Sequence, residues 1–180
     1  MTEPIERPKL NRKAVAMKTY RDRVHALYAD VRSWLSGDDR FRLEQSASVV
    51  RDGLGRYAVD RLRVFAGEER IAEFEPIAAT VIMAAGQVDV LGLVDYAWLI
   101  YYETPPIAVT TLTDRRGHTT RSSFPIIEGI DRPGWYWTDA RHDDGARFLD
   151  NRTLFDIFEE ISDLESQPHR EPPRGSHVVS

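Results

Sequence analysis

The chain has 180 residues, no cysteine, a formal net charge of -5 and an isoelectric point near 5.6. The absence of cysteine excludes disulfides, thiolate metal sites and cysteine nucleophiles. The negative charge argues against nucleic acid as the main ligand, because binding to a phosphate backbone depends on a surplus of lysine and arginine. No apolar targeting segment opens the chain, and no apolar run approaches the ~20 residues that span a bilayer, so we expect a cytoplasmic protein with no membrane partner.

The N-terminal part of the chain contains a long amphipathic pattern. Residues 1–10 carry two prolines and mixed charges without periodicity, which predicts a flexible arm. From Asn11, a candidate N-cap, apolar residues recur three and four positions apart until shortly before Gly37, which predicts a helix with one apolar side. That side comprises Val15, Tyr20, Val24, Leu27, Tyr28, Val31, Trp34 and Leu35.

The middle of the chain consists of short alternating runs separated by turn signals. Asp52-Gly53 predicts a hairpin, and the aromatic and branched run Tyr96–Tyr102 predicts a strand at the centre of a sheet. Pro76 predicts that its own strand ends there or lies at an edge. Because the spacing leaves no room for crossover helices, we expect a mostly antiparallel, curved meander of about six to eight strands.

The end of the chain returns to a helical pattern. After a last short strand at Trp135–Trp137 and a polar loop, Asp150 is a plausible N-cap for a helix with an apolar side. That side comprises Leu154, Ile157, Phe158, Ile161 and Leu164. We therefore predict one α+β domain over residues 11–164, with both helices packed on the sheet, and a flexible tail over residues 165–180.

Four short motifs together resemble a family of uncharacterised bacterial proteins. They are Gly55-Arg56-Tyr57, Phe74-Glu75-Pro76-Ile77, Val88-Asp89-Val90-Leu91-Gly92 and Gly134-Trp135-Tyr136-Trp137. The resemblance covers the middle and end of the chain and leaves out the first helix and both tails. Its motifs are structural in character, so it implies no catalytic residue.

The densest set of groups that can bind metal or transfer protons is His142-Asp143-Asp144 with nearby Asp139. These residues support an alternative function as a small metal-dependent hydrolase or nuclease. However, the motif lacks a second histidine at ligand spacing, and Asp-Asp-Gly is also typical of a solvated turn. We therefore expect no bound metal and no cofactor.

Two further sets of residues have catalytic and structural interpretations. Asp60 with Glu73 and Glu75 can form a nuclease-like metal site, but alternating glutamates also mark the solvent side of a strand. Ser122 or Ser123 with His118 or His142 provides hydrolase groups, but the Gly-x-Ser-x-Gly elbow is missing.

The tryptophans and tyrosines suggest an interaction surface. Tyr96 and Trp98 lie on one side of their strand, and Trp135 and Trp137 lie on one side of theirs. These rings either fill a curved core or form an exposed patch for a macromolecular partner, with Trp98 and Trp135 as the expected surface residues and Arg61 or Arg63 at the margin. The leading hypothesis is a non-enzymatic protein-binding module: a toxin-neutralising, regulatory or accessory subunit. The sequence does not predict its oligomeric state.

Overall fold

The computed structural model describes residues 7–138 and 145–162. Within these ranges, no helix is long and apolar enough to cross a membrane. The elements in chain order are α1 Arg7–Leu35, β1 Phe41–Ser46, β2 Val49–Asp52, β3 Gly55–Ala58, β4 Arg61–Ala66, β5 Glu69–Ala78, β6 Gln87–Leu91, β7 Tyr96–Tyr102, β8 Ile107–Thr113, β9 Thr119–Pro125, β10 Gly134–Thr138, β11 Arg147–Phe148 and α2 Asn151–Ser162.

Seven strands form one open antiparallel sheet in the order β1-β4-β5-β6-β7-β10-β11. The predicted α+β class, the antiparallel meander and the strand at Tyr96–Tyr102 are thus confirmed. The remaining strands form two separate hairpins, β2-β3 and β8-β9, inserted between neighbours of the main sheet. The first closes one end of the core, since Val50 and Tyr57 are buried.

Helix α1 attaches to the sheet through two buried tyrosines. Tyr20 donates a hydrogen bond to the carbonyl oxygen of Gln87 at 2.6 Å, and Tyr28 donates to that of Asp60 at 2.9 Å. The helix begins at Arg7 rather than Asn11, because Pro8 is compatible with a first turn. Val15, which the periodicity placed on the apolar side, is exposed because the helix extends beyond the core at that end. The rest of the predicted arm and the whole predicted tail lie outside the described residues.

Pro76 lies inside β5, a central strand, so the prediction that its strand ends there or lies at a sheet edge is wrong. The reason is that the ladder with β4 stops at the Leu62–Phe74 pair, before Pro76 is reached. On the other side the register with β6 is irregular between Pro76 and Ala78. The missing N–H of proline is therefore tolerated at a place where β5 has lost one neighbour.

Helix α2 packs its predicted apolar side on the core and is fixed at both ends. Its residues Leu154, Ile157, Phe158 and Ile161 are buried, and Leu164, the fifth residue of the predicted side, lies outside the described residues. At the C-terminal end, the carbonyl oxygen of Ile161 accepts hydrogen bonds from Val94 and Asp95 in the turn between β6 and β7. Gly92 makes this approach possible, since a Cβ at that position would lie 2.1 Å from the same oxygen.

Asp150 caps α2 as predicted. Its carboxylate accepts a hydrogen bond from the backbone N–H of Thr153 at 2.8 Å, and this bond holds the pKa of Asp150 below its ordinary value. We expect Asp150→Ala to cost about 1 kcal/mol of unfolding free energy at pH 7 and Asp150→Ser to cost much less. Because the pKa of Asp150 is lowered on folding, its carboxylate stabilises the folded protein at pH values above the ordinary carboxyl pKa, and this stabilisation is lost in acid. Urea denaturation of the two variants at neutral and acidic pH tests this expectation. If Asp150→Ala and Asp150→Ser lost the same unfolding free energy at pH 7, the capping role of Asp150 would be contradicted.

Candidate interaction surface

The two faces of the seven-stranded sheet are covered differently. Val88, Val90, Ala97 and Leu99 are buried beneath both helices on one side, which we call the helix face. The residues that alternate with them form the opposite side, the open face. The open face carries Asp89 and Leu91 of β6, Tyr96, Trp98 and Ile100 of β7, and Arg61, Arg63, Glu73 and Glu75 of β4 and β5.

Trp135 and Trp137 belong to the helix face, because they pair in register with Tyr101 and Leu99. They are only 7% and 4% exposed. The Trp135 ring packs against Tyr101 with the centroids 5.3 Å apart, and its indole N–H donates to the carbonyl oxygen of Arg23 at 3.4 Å. The expectation that Trp135 reaches the surface is therefore wrong: α1 covers this end of β10, leaving only a cleft of about 250 Å³ beside the ring.

Trp98 and Tyr96 lie on the open face and are 39% and 47% exposed. Their ring centroids are 5.7 Å apart with the planes tilted by 47°. Trp98 lies between Asp89 of β6 and Thr138 of β10, so its backbone is fixed by ladders on both sides. Two adjacent aromatic rings are thus presented to solvent from the rigid middle of the sheet.

The turn before β7 carries two further exposed apolar side chains. Leu93 and Val94 are both exposed and directly precede Asp95 and Tyr96. The turn is held by hydrogen bonds to α2, so these side chains also stand on fixed backbone. We call Tyr96 and Trp98 the aromatic patch. The exposure of Leu93 and Val94 was not predicted, although two apolar residues in a Gly-to-Asp turn are a usable signal.

One flank of the aromatic patch is closed by a second, small core. Tyr102, Ile130, Tyr136 and Ala146 are buried together on the open face. The Tyr136 hydroxyl donates to the carbonyl oxygen of Arg132 at 2.8 Å. This cluster limits the exposed part of the open face to the region around Trp98.

The other flank is an ion-pair network centred on Glu73. This carboxylate is 4% exposed and contacts Arg61, Arg63 and Arg70 at 3.3, 3.1 and 2.6 Å. Burial raises the pKa of Glu73, but the hydrogen bond from Arg63 and the charges of the arginines outweigh it, so the pKa is lowered overall. Arg61 also binds Glu75 at 2.9 Å. Arg61 and Arg63 are three strand spacings from Trp98, about 14 Å away, which is within the span of one protein interface.

The same network occupies the carboxylates that a nuclease-like metal site at Asp60, Glu73 and Glu75 would need. Glu73 already has three guanidinium partners, and Asp60 accepts a hydrogen bond from Gln45 at 2.7 Å. Glu73 lies on the open face, but its carboxylate is buried among the arginines, so the interpretation of Glu73 as a solvent-facing residue is wrong. Among the described residues, no group of three or more histidine or carboxylate side chains is placed to hold a metal.

Asp89 lies between the network and the aromatic patch. Gln87 donates a hydrogen bond to its carboxylate at 2.8 Å, and Glu75 is its neighbour across the β5-β6 ladder. Burial raises the pKa of Asp89, and the charge of Glu75 adds to this effect although the hydrogen bond from Gln87 opposes it. Burial and the charge of Glu75 therefore disfavour the ionised form of the carboxyl group beside Trp98.

We expect Asp89→Asn to stabilise the protein at pH 7 by about 0.5–1 kcal/mol, the scale of a partly screened interaction. When the pKa of a carboxyl group is raised on folding, the folded protein becomes less stable as the pH rises from the ordinary pKa of that group through its folded pKa. The advantage of asparagine should therefore vanish in acid, where the aspartate is protonated in both states. Thermal denaturation from pH 3 to 8 measures this, and a pH-independent difference would contradict the explanation.

The remaining catalytic candidates do not form a described site. His142, Asp143, Asp144 and Asp139 lie outside the described residues. Ser122 and Ser123 lie on the exposed strand β9, whereas His118 binds Asp114 at 3.2 Å in the preceding turn. Four residues of extended strand, about 13 Å, separate His118 from Ser122, so they cannot act as a nucleophile and base pair.

No protein-family model, curated protein or solved structure matches the chain. Among the described residues, the arrangement that best suits a function is the aromatic patch with its charged margin. Its fixed backbone, apolar centre and polar border are features of a docking surface.

Proposed function

We propose that this chain is a non-enzymatic protein-interaction module, a toxin-neutralising, regulatory or accessory subunit, and that its partner docks on the open face. The observation that supports this most directly is the adjacent exposure of Trp98 and Tyr96 on a central strand. Exposed tryptophan and tyrosine on rigid backbone lose little entropy on binding and dominate the energetics of many interfaces.

The surroundings of the patch support a protein partner rather than a small molecule. The aromatic patch is part of a sheet surface, whereas small ligands favour concave pockets. The arginine network at one margin supplies donors for a partner's carboxylates, since the side chains of Arg61, Arg63 and Arg70 are 35%, 34% and 46% exposed. An apolar centre with a charged border also excludes water from the contact.

We expect Trp98→Ala to weaken partner binding by about 2 kcal/mol or more, roughly 30-fold, with little change in folding stability. The partner is first captured from the native host on the tagged full-length chain and identified by mass spectrometry. Its affinity for wild type and Trp98→Ala is then measured by calorimetry. Ile82→Ala is the matched control, because Ile82 is 90% exposed and lies outside the open-face strands. Equal affinities for wild type and Trp98→Ala would refute the proposal.

A further inference from the structure

Strand β1 forms one border of the seven-stranded sheet and is longer than the strand at the other border. It has six residues, whereas β11 has two. Among the described residues, β1 pairs only with β4, and the register is regular from Phe41 to Ser46. Edge strands are commonly protected by a proline, a lysine, a bulge or a very short length, and β1 has none of these. The outer side of β1 is therefore a regular template for another strand.

The backbone of β1 alternates between groups that bond to β4 and groups that face outward. Just before the strand, the N–H of Gly67 donates to the carbonyl oxygen of Arg40 at 3.1 Å. Hydrogen-bonded pairs recur at every second residue of an antiparallel ladder, so Arg42 and Glu44 also direct their backbone groups to β4. The residues whose backbone groups face outward are therefore Phe41, Leu43 and Gln45. Consistent with this, the N–H of Phe41 donates to the carbonyl oxygen of Asp38 and not to β4.

One register of two β1 strands pairs their charges favourably twice. In an antiparallel pair about a twofold axis, outward-facing residues must lie opposite outward-facing residues. If the axis passes through Leu43, Arg42 of each copy lies opposite Glu44 of the other copy. Moving the axis by one residue places Arg42 opposite Arg42 or Glu44 opposite Glu44, and like charges directly opposite each other are destabilising. The edge is thus complementary to itself in charge when the axis passes through Leu43.

The side chains of β1 are accessible enough for this pairing. Arg42 and Glu44 form an ion pair with each other, and their side chains are 48% and 49% exposed. On the helix face, Phe41 and Leu43 are half-buried at the margin of the main core, where Phe41 packs on Phe155 of α2 with the ring centroids 5.9 Å apart. A second β1 strand would cover apolar surface that a single copy leaves partly in water.

We propose that two copies of this chain join through antiparallel pairing of their β1 strands, so that the two seven-stranded sheets become one continuous sheet. The pair has about four backbone hydrogen bonds: two between the Leu43 residues and two from the N–H of Gln45 to the carbonyl oxygen of Phe41. On the open face, Arg42 and Glu44 of both copies form a row of alternating charges. The contact is isologous and uses both β1 edges, so it ends at a dimer.

Sedimentation velocity of the full chain at about 2–200 µM tests the pairing. We expect wild type to form a dimer whose fraction rises over this range. Arg42→Glu and Glu44→Arg should each raise the dissociation constant about 10-fold or more, because both symmetry-related pairs become like-charged. Mixing the two variants in equal amounts should restore a dimer of wild-type strength, since one edge then carries two negative charges and the other carries two positive charges.

Two control variants leave the β1 edge unchanged. Arg56→Glu makes the same charge change as Arg42→Glu at an exposed position of the β2-β3 hairpin and should dimerise like wild type. Trp98→Ala should also dimerise like wild type, because β7 lies four strand spacings from β1, about 19 Å away. A wild-type monomer at about 200 µM, a dimer unaffected by Arg42→Glu and Glu44→Arg, or a mixture no stronger than its components would overturn the proposal. Loss of the dimer in either control would do the same.

Discussion

Glu73→Gln is expected to lower the free energy of unfolding by about 2–3 kcal/mol at pH 7, although it alters only one atom of the side chain. Glu73 is almost fully buried and is the shared partner of three arginines. Removing one member of a buried ion pair typically costs about 3–5 kcal/mol, because the remaining charge is left unpaired. The arginines are each about one-third to one-half exposed, so water compensates part of this loss.

The pH dependence identifies the carboxylate as the cause. The pKa of Glu73 is lowered on folding, so its contribution is fully present above the ordinary glutamate pKa and is lost as the pH falls through the folded pKa. The difference between wild type and Glu73→Gln should therefore shrink in acid. Glu75→Gln is the matched control, since Glu75 is half-buried and contacts Arg61 alone in the network. Urea denaturation that shows equal losses for the two variants would contradict the central role of Glu73.

The network also shows why this part of the surface was only partly predictable. Strand alternation correctly placed Glu73 and Glu75 on one side, but burial depends on which charges face them from the neighbouring strand. The register aligns Arg63 with Glu73, and a bulge at Val64–Phe65 lies between that pair and the Arg70 pairing. These alignments come from strand pairing, which local periodicity does not encode.

The aromatic residues illustrate the same limit. Periodicity predicts which residues of a strand share a side, but it does not predict which side the helices cover. Trp98 and Trp135 have similar neighbours in sequence, but they lie on opposite faces of the sheet. Trp135 pairs with Tyr101 and lies beneath α1. Trp98 pairs with Asp89 and lies on the open face, which the helices do not cover. Helix positions were easier to predict, because a strongly amphipathic pattern and a cap such as Asp150 are local signals.

Asp52-Gly53 predicted the turn of the β2-β3 hairpin, but neither β2-β3 nor β8-β9 was predicted as a unit separate from the main sheet. β9 had a usable signal, since its sequence Thr-Thr-Arg-Ser-Ser-Phe-Pro has one large apolar residue and cannot line a core. The apolar alternation changes phase after Tyr57, which from the sequence alone suggests a bulge at Asp60–Arg61, but in the structure the chain passes there from the β2-β3 hairpin to the main sheet. A change of sheet and a bulge both shift the phase of a period-two pattern, so the pattern does not distinguish them.

Trp135→Ala is expected to destabilise the protein by about 3 kcal/mol, near the lower limit for a buried tryptophan because a cleft of about 250 Å³ already adjoins the ring. The substitution removes the contact with Tyr101 and the hydrogen bond to the carbonyl oxygen of Arg23 that links α1 to β10. Trp135→Phe keeps a ring and should lose about half as much.

Trp98→Ala is the matched comparison for Trp135, because it removes an indole from the same sheet on the opposite face. Its loss should stay below about 1 kcal/mol, since the ring is already 39% exposed. Urea denaturation of Trp135→Ala, Trp135→Phe and Trp98→Ala at pH 7 gives the ranking directly. Equal losses for Trp98→Ala and Trp135→Ala would mean that both rings belong to the core, and the aromatic patch would then no longer qualify as a docking surface.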